Sequence, residues 1–353
     1  MEKIIILTHG MLATENAKTA HGLIRESPRY EVLGVVDAVH AGKDAGEMLD
    51  GRFRNIPVFP TVNDAVNVLQ PTACVVGVAT SGGVFPGSLL EEVKEAIERG
   101  LSVVNGLHDL LNERDDVVRL AKTKGVTLTD VRKPKPMRDL HFWTGAMLHF
   151  PQPVVAVLGT DCGLGKRTTT RFLVQACNEA GIRAEMIYTG QTGWLQGGKY
   201  GFVLDATPND FVSGELEHAI LTCAKETGAD VFFIEGQAAL RNPSGPSGSE
   251  MLISGGARSV VVVHAPKREY YDFTPALGKI PPVQTEIALI EKYGSRVIAV
   301  ALNTEHCSAE EALRYQADYE KELDLPVLLP LEQGVGKLVP VIAALVANAK
   351  TST

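Results

Sequence analysis

The chain is short of cysteine, of positive charge and of long apolar runs, and each shortage excludes something. Its five cysteines, Cys74, Cys162, Cys177, Cys223 and Cys307, are odd in number and widely spaced, with no C-x-x-C pair. Neither a zinc site nor a disulfide framework is indicated, and a reducing cytoplasm is the expected compartment. Lysine and arginine total 34 against 42 acidic residues, a formal net charge of -8. A nucleic-acid binder would show a basic balance or stripe, so no nucleic-acid partner is expected. A small anionic ligand stays open, because a local group of cations and backbone N–H groups can hold one. No apolar run approaches the ~20 residues of a membrane helix, so no membrane partner is expected. The opening Met1-Glu2-Lys3 runs straight into Ile4-Ile5-Ile6-Leu7, too short for a secretory signal and readable as a first strand.

What is present is a globular composition, 45% hydrophobic over 353 residues, long enough for about two domains. Short β-branched runs alternate with helical patterns. Ile4–Leu7, Glu31–Val36, Ala73–Val78, Ser102–Val104 and Val126–Leu128 read as buried strands of a first series. Val154–Leu158, Glu185–Thr189, Val231–Glu235, Ser259–His264, Val297–Leu302 and Pro326–Leu329 form a second. The fold class is therefore α/β, with two doubly wound domains, one over 1–150 and one over 151–353. Between them, 132–153 breaks the alternation with Arg132-Lys133-Pro134-Lys135-Pro136-Met137-Arg138, either a solvated linker or an anion-binding edge.

The sharpest signal is Gly159-Thr160-Asp161-Cys162-Gly163-Leu164-Gly165-Lys166-Arg167-Thr168-Thr169, lying between a strand and an amphipathic helix. That context is what a phosphate loop demands: small residues wrap an anion, the helix N-terminus meets it, and Lys166 adds a charge. The five residues between Gly159 and Gly165 resemble the longer loop of dethiobiotin synthetase, G-T-D-T-x-x-G-K-[ST]. One position departs. Arg167 stands where a nucleotide-cleaving loop carries the hydroxyl that holds Mg²⁺. A guanidinium cannot ligate a cation but suits a phosphate, so no metal is expected.

In doubly wound sheets ligands bind beyond the carboxyl ends of the strands, which selects the remaining candidates. Glu235 ends a strand in Ile234-Glu235-Gly236, a segment similar to one in the dethiobiotin synthetase relatives, and is a candidate base or a loop-capping carboxylate. Gln191 and Thr192 lie in a Gly-rich turn after the next strand, expected beside the phosphate loop. Asp205 is a candidate acid, and His264 a candidate base or a structural strand-end histidine. Asn303 sits where those relatives carry an adenine-recognising Asn. In the first domain, Thr8-His9-Gly10 and Asp37 follow strands, but without G-x-G-x-x-G a dinucleotide site is not expected.

Taken with Thr189-Gly190-Gln191-Thr192-Gly193 and Ile234-Glu235-Gly236-Gln237, the loop resembles a two-domain P-loop family long described only as a domain of unknown function. Its members include D-glutamate N-acetyltransferase. The resemblance spans essentially the whole chain, implying a Rossmann-like N-terminal domain over 1–150, a P-loop NTPase-like C-terminal domain over 151–353, and acetyl transfer from acetyl-CoA to the amine of D-glutamate or a related amino acid. It further implies that Asp161, Cys162, Gly163, Leu164, Gly165, Lys166, Arg167 and Thr168, with Gln191, Thr192 and Asn303, hold coenzyme A, whose phosphates need not be cleaved. On that reading Glu235, with Asp205 or His264 as alternates, is the base, and Gln191–Gly193 amides meet the oxyanion. Arg132, Lys133, Arg138, Arg241 and Arg258 are the cations available to the substrate carboxylates. A homo-oligomer is expected. The rival reading is a Mg-ATP-dependent carboxylate–amine ligase or kinase like dethiobiotin synthetase.

Overall fold

The computed structural model describes residues 1–351. The chain folds as two compact units, one of Met1–Pro134 with Gln191–Gly197, the other of Lys135–Gly190 with Gly198–Thr353. Among the described residues the first unit holds a six-stranded parallel sheet in the order β3-β2-β1-β4-β5-β6. Its strands are β1 (Glu2–Leu7), β2 (Tyr30–Val36), β3 (Val58–Phe59), β4 (Ala73–Val76), β5 (Ser102–Asn105) and β6 (Leu128–Asp130). Ile4, Ile5, Ile6 and Leu7 are all fully buried, as both faces of a parallel strand are when helices cover them. The last strand starts two residues later than the apolar run suggested. The Val126 amide bonds back to the Ala121 carbonyl of the preceding helix, whose end is turned by left-handed Gly125, so Val126 is still part of that cap.

The turn after β1 is filled from within. Asp37, at the end of β2, is buried and accepts from Thr8 Oγ1 at 2.7 Å, Leu12 N at 3.0 Å and His40 Nδ1 at 2.8 Å. Burial opposes its charge, but these donors outweigh it and hold the carboxyl below its ordinary range. An acid spent on its own turn is unsuited to a dinucleotide ribose.

The short helix Gln191–Leu195 belongs to this first unit, although the residues before 191 and after 197 do not. Leu195 joins the core, Thr192 Oγ1 lies 2.9 Å from Thr19 Oγ1, and Gln196 Nε2 donates to the Gly22 and Glu26 carbonyls.

The second unit has a seven-stranded parallel sheet in the order β13-β12-β11-β7-β10-β8-β9. The strands are β7 (Val154–Gly159), β8 (Ala184–Tyr188), β9 (Tyr200–Gly201), β10 (Val231–Glu235), β11 (Ser259–His264), β12 (Arg296–Leu302) and β13 (Val327–Leu328). β7 is buried along its whole length, with β10 on one side and β11 on the other. The register pairs Glu235 with Val157 and Val263 with Gly159, so β10 ends two residues before β7, and β11 one residue beyond it. The connection from β10 to β11 crosses β7, and the crevice opens there.

Residues 135–150 pack on this second unit, so the division falls at Pro134 rather than at 150. Two carboxylates of the helix Asn209–Thr227 tie the segment down. Glu215 accepts from Lys135 Nζ at 2.5 Å and His141 N at 3.0 Å. Glu217 accepts from Thr144 N at 2.6 Å and Thr144 Oγ1 at 2.8 Å. His141 stacks on His218 at 3.6 Å, and Met147 enters the core. Gly214 is required beneath it, because a Cβ there would meet the His141 carbonyl.

Candidate functional site

β7 delivers the chain to the phosphate loop, and the helix Lys166–Glu179 takes it away. Gly163 and Gly165 hold φ of 63° and 93°, left-handed values that favour glycine, and Gly165 caps the helix. The helix's first amides have no intrahelical acceptor and point at whatever sits above the loop. Lys166 is buried, with Nζ donating to the Asp161 carbonyl at 2.6 Å and the Ala238 carbonyl at 2.7 Å. The ammonium is thus drawn out of water and fixed against the loop by these two backbone carbonyls.

The loop keeps its shape through a network that local sequence does not reveal. Asp161 is fully buried. Its Oδ1 accepts from Asn242 Nδ2 at 2.8 Å, and its Oδ2 from Arg268 Nη1 and Asp272 N, each at 2.9 Å. Arg268 also donates to the Cys162 carbonyl at 2.5 Å and forks onto Glu305 at 2.6 and 2.8 Å, with its plane 4.1 Å from the Phe273 ring. Burial disfavours that charge, yet Glu305 and Asp161 prevail and hold the guanidinium above its ordinary value. Asn303 Nδ2 donates to the Leu164 carbonyl at 3.2 Å, and its Oδ1 accepts from Glu305 N. Asn303 thereby supports the loop from below. Asp161, Cys162 and Asp272 offer ligand atoms within 4.8 Å of one another, but a cation there would face Arg268.

Glu235 ends β10 beside the loop. It is buried, and burial pushes its carboxyl up, against the opposing charges of Arg167 and Lys166 and the amides of Thr189 and Gly190. The Thr189 amide fixes Oε2 at 3.2 Å, and Thr189 Oγ1 donates to the Glu235 carbonyl at 2.6 Å. Gly236 follows because a Cβ would meet the Val157 carbonyl. Such a carboxyl, its proton affinity raised by burial, is a candidate proton acceptor.

His264 is a different case. Its Nδ1 meets Thr160 Oγ1 at 3.0 Å and its Nε2 meets Tyr319 Oη at 3.2 Å. Burial brings it down to about 4. Both nitrogens are engaged and the ring stays neutral, so it orients Thr160 of the loop and corrects the alternate assignment as a base.

The other expected residues disperse. Asp205 is exposed in a short 3-10 turn after β9, whose Leu204 amide bonds to the Thr189 carbonyl. Arg241 is committed to Glu286 at 2.6 Å and Thr285 at 2.8 Å. Arg258 precedes β11 and so lies at the amino edge of the sheet, opposite the loop, which removes it from the substrate set. Arg138 is exposed beside Asp139 at 3.7 Å, and Lys133 is exposed. Arg132 of the first unit donates to the Gly106 carbonyl and to Gln191 Oε1, so Gln191 and Thr192 are held inside that unit. Thr168 is half-buried one position beyond Arg167. The residues that sequence reasoning missed are Asn242, Arg268, Asp272 and Glu305. All follow ends of β10, β11 or β12, the one signal that pointed to them.

The two sheets and the loop define a two-domain α/β protein, a Rossmann-like unit followed by a P-loop unit. Residues 38–134 match the family described as a domain of unknown function, DUF1611_N, Rossmann-like domain. Residues 141–339 match its partner, the DUF1611_C P-loop domain. The chain belongs to this family. It is 31% identical over 281 residues to a D-glutamate N-acetyltransferase of Tritonibacter scottomollicae, covering 76% of this chain and 80% of that one. It is also 31% identical over 271 residues to one from a Pseudoalteromonas species, covering 75% and 79%. A solved DUF1611 family protein from Anabaena variabilis superposes with a TM-score of 0.89 at 29% identity, covering 98% of this chain and 100% of that one. No helix among the described residues is long and apolar enough to cross a membrane.

Proposed function

We propose that the chain is an N-acetyltransferase whose phosphate loop holds coenzyme A and which passes acetyl from acetyl-CoA to the amine of D-glutamate or a related amino acid. The observation that carries this reading is Arg167 at the second position of the loop's helix, with buried Glu235 ending the strand that pairs with β7. A guanidinium occupies the position of a metal-holding hydroxyl, beside a carboxyl whose proton affinity is raised. That combination suits a phosphate that is bound and not cleaved, with a base alongside. The names of the two relatives support the choice of donor and acceptor.

The loop fits such a ligand: two left-handed glycines, a helix start, and a buried ammonium at the helix's first position. Acetyl-CoA, when bound, would supply the thioester. Glu235 takes the proton of the attacking amine through the oxygen that the Thr189 amide does not fix. The new C–N bond forms as the C–S bond breaks, and the thiolate leaves.

Coenzyme A without Mg²⁺ raises the melting temperature, since ligand at a hundred times its Kd adds about 2.7 kcal/mol. Lys166→Ala and Arg167→Ala remove most of that shift. Glu235→Gln keeps it but loses ~10²–10⁴ of D-glutamate-dependent thiol release. No shift at millimolar coenzyme A overturns the reading.

A further inference from the structure

The first unit carries its own cluster of reactive side chains. Its sheet order reverses between β1 and β4, so the segments leaving those two strands border one crevice. His9 follows β1 with φ of 49°, a left-handed value that an L-residue rarely adopts and that aims its ring. Ser88 is the second residue of the helix Gly87–Glu98, which follows β4. Ser88 Oγ lies 2.9 Å from His9 Nε2, and His9 Nδ1 lies 2.6 Å from Glu92 Oε1. Ser88 and Glu92 are four apart, hence on one helix face, and a single imidazole spans both.

The order of partners sets the proton. A carboxylate only accepts, so Nδ1 carries the hydrogen and Nε2 is left to accept from the Ser88 hydroxyl. Glu92 Oε2 is buried and has no hydrogen-bond partner among the described residues, which leaves the carboxylate's charge to the imidazole. Ser88 is exposed, while the His9 and Glu92 side chains are 22% and 26% exposed, so a small molecule can reach the serine. The amides of the helix's first turn have no intrahelical acceptor and can meet a developing oxyanion. The approach to the helix is fixed by Phe85 N donating to Asp109 Oδ2 at 3.1 Å, an acid itself held by Arg114 at 2.6 Å.

We infer that Ser88, His9 and Glu92 form a nucleophile–base–orienting-acid triad that takes the acyl group of a small carboxylic ester or thioester. Ser88 Oγ bonds to the carbonyl carbon as its proton passes to His9 Nε2. The carbon–oxygen or carbon–sulfur bond of the donor breaks, and the alcohol or thiol departs with that proton. Water then cleaves the acyl-serine through the same relay, releasing the acid and restoring the hydroxyl. Glu92 holds the ring through its 2.6 Å contact with Nδ1. The site is independent of the phosphate-loop reading, and its test needs neither coenzyme A nor D-glutamate.

The full chain is treated with a fluorophosphonate, which releases fluoride on reaction with an activated serine, and its peptides are weighed. The expected result is one adduct on Ser88, lost in Ser88→Ala. In His9→Asn, a residue that tolerates left-handed backbone, labelling slows by ~10²–10⁴ while the melting temperature holds. Glu92→Gln slows it as well, and p-nitrophenyl acetate hydrolysis falls in parallel in all three variants. No adduct on Ser88, or labelling of His9→Asn at the parent rate, overturns the inference.

Discussion

Replacing Asp161 by Asn tests whether the phosphate loop is held by a charge network or merely by its backbone. The change keeps the volume and removes one acceptor. Asp161 uses both oxygens, Oδ1 for Asn242 and Oδ2 for Arg268 and Asp272 N. An Asn has one oxygen, so its NH₂ must face either Asn242 or the Arg268 side. Asn242 cannot simply turn over, because its own Oδ1 accepts from Ser244 N at 2.9 Å and Ser244 Oγ at 2.7 Å. One buried donor is therefore left facing another, at about 1–3 kcal/mol. The Arg268 bond also loses its charge assistance, about 1 kcal/mol more. Arg268 keeps Glu305, so its charge is not stranded and the larger penalty of a broken buried pair does not apply. The sum is about 2–4 kcal/mol. In a Trp194→Phe background, Trp143 of the second unit is the remaining tryptophan reporter of urea unfolding. With a slope of about 2 kcal/mol/M, the midpoint falls by about 1–2 M. A shift below about 0.3 M at an unchanged slope refutes the network's role.

Three further outcomes are expected. His264 is carried down to about 4 from its ordinary 6.5, so the unfolded chain binds the proton first and stability falls as pH drops from about 6.5 to 4. The loss approaches about 3 kcal/mol and should be much smaller in His264→Gln, as pH-dependent urea midpoints will tell. Gly214→Ala forces a Cβ against the His141 carbonyl and lifts 135–150 from its helix, so limited proteolysis should cut there while the parent resists. Glu217→Ala strands the Thr144 amide and hydroxyl, lowering stability by about 1–3 kcal/mol and opening the same cleavage sites.

Much of the fold was legible because buried parallel strands are continuous β-branched runs, and Val154–Gly159 or Ser259–His264 need no partner to be recognised. Two-residue strands at or near the edges, Val58–Phe59 and Tyr200–Gly201, leave no such run and were missed. The phosphate loop was equally legible, because strand, glycines, lysine and helix are contiguous. Its supports were not. Asn242, Arg268 and Glu305 come from three other strand ends, and any charged loop residue looks alike in one dimension.

What the sequence determined by itself is whatever depends on neighbours along the chain: strand runs, helix caps, the loop's left-handed glycines, and the Arg that displaces a metal-holding hydroxyl. Only the tertiary structure decided what depends on strand order. It put Arg258 at the far edge of its sheet and Gln191–Thr192 in the first unit. It turned His264 from a candidate base into a buried support. It also brought His9 to Ser88 across a separation of 79 residues. The physical reason is the same in each case. A side chain's chemistry is set by the charges, donors and burial around it, and in a doubly wound sheet those come from strands adjacent in space, not in sequence.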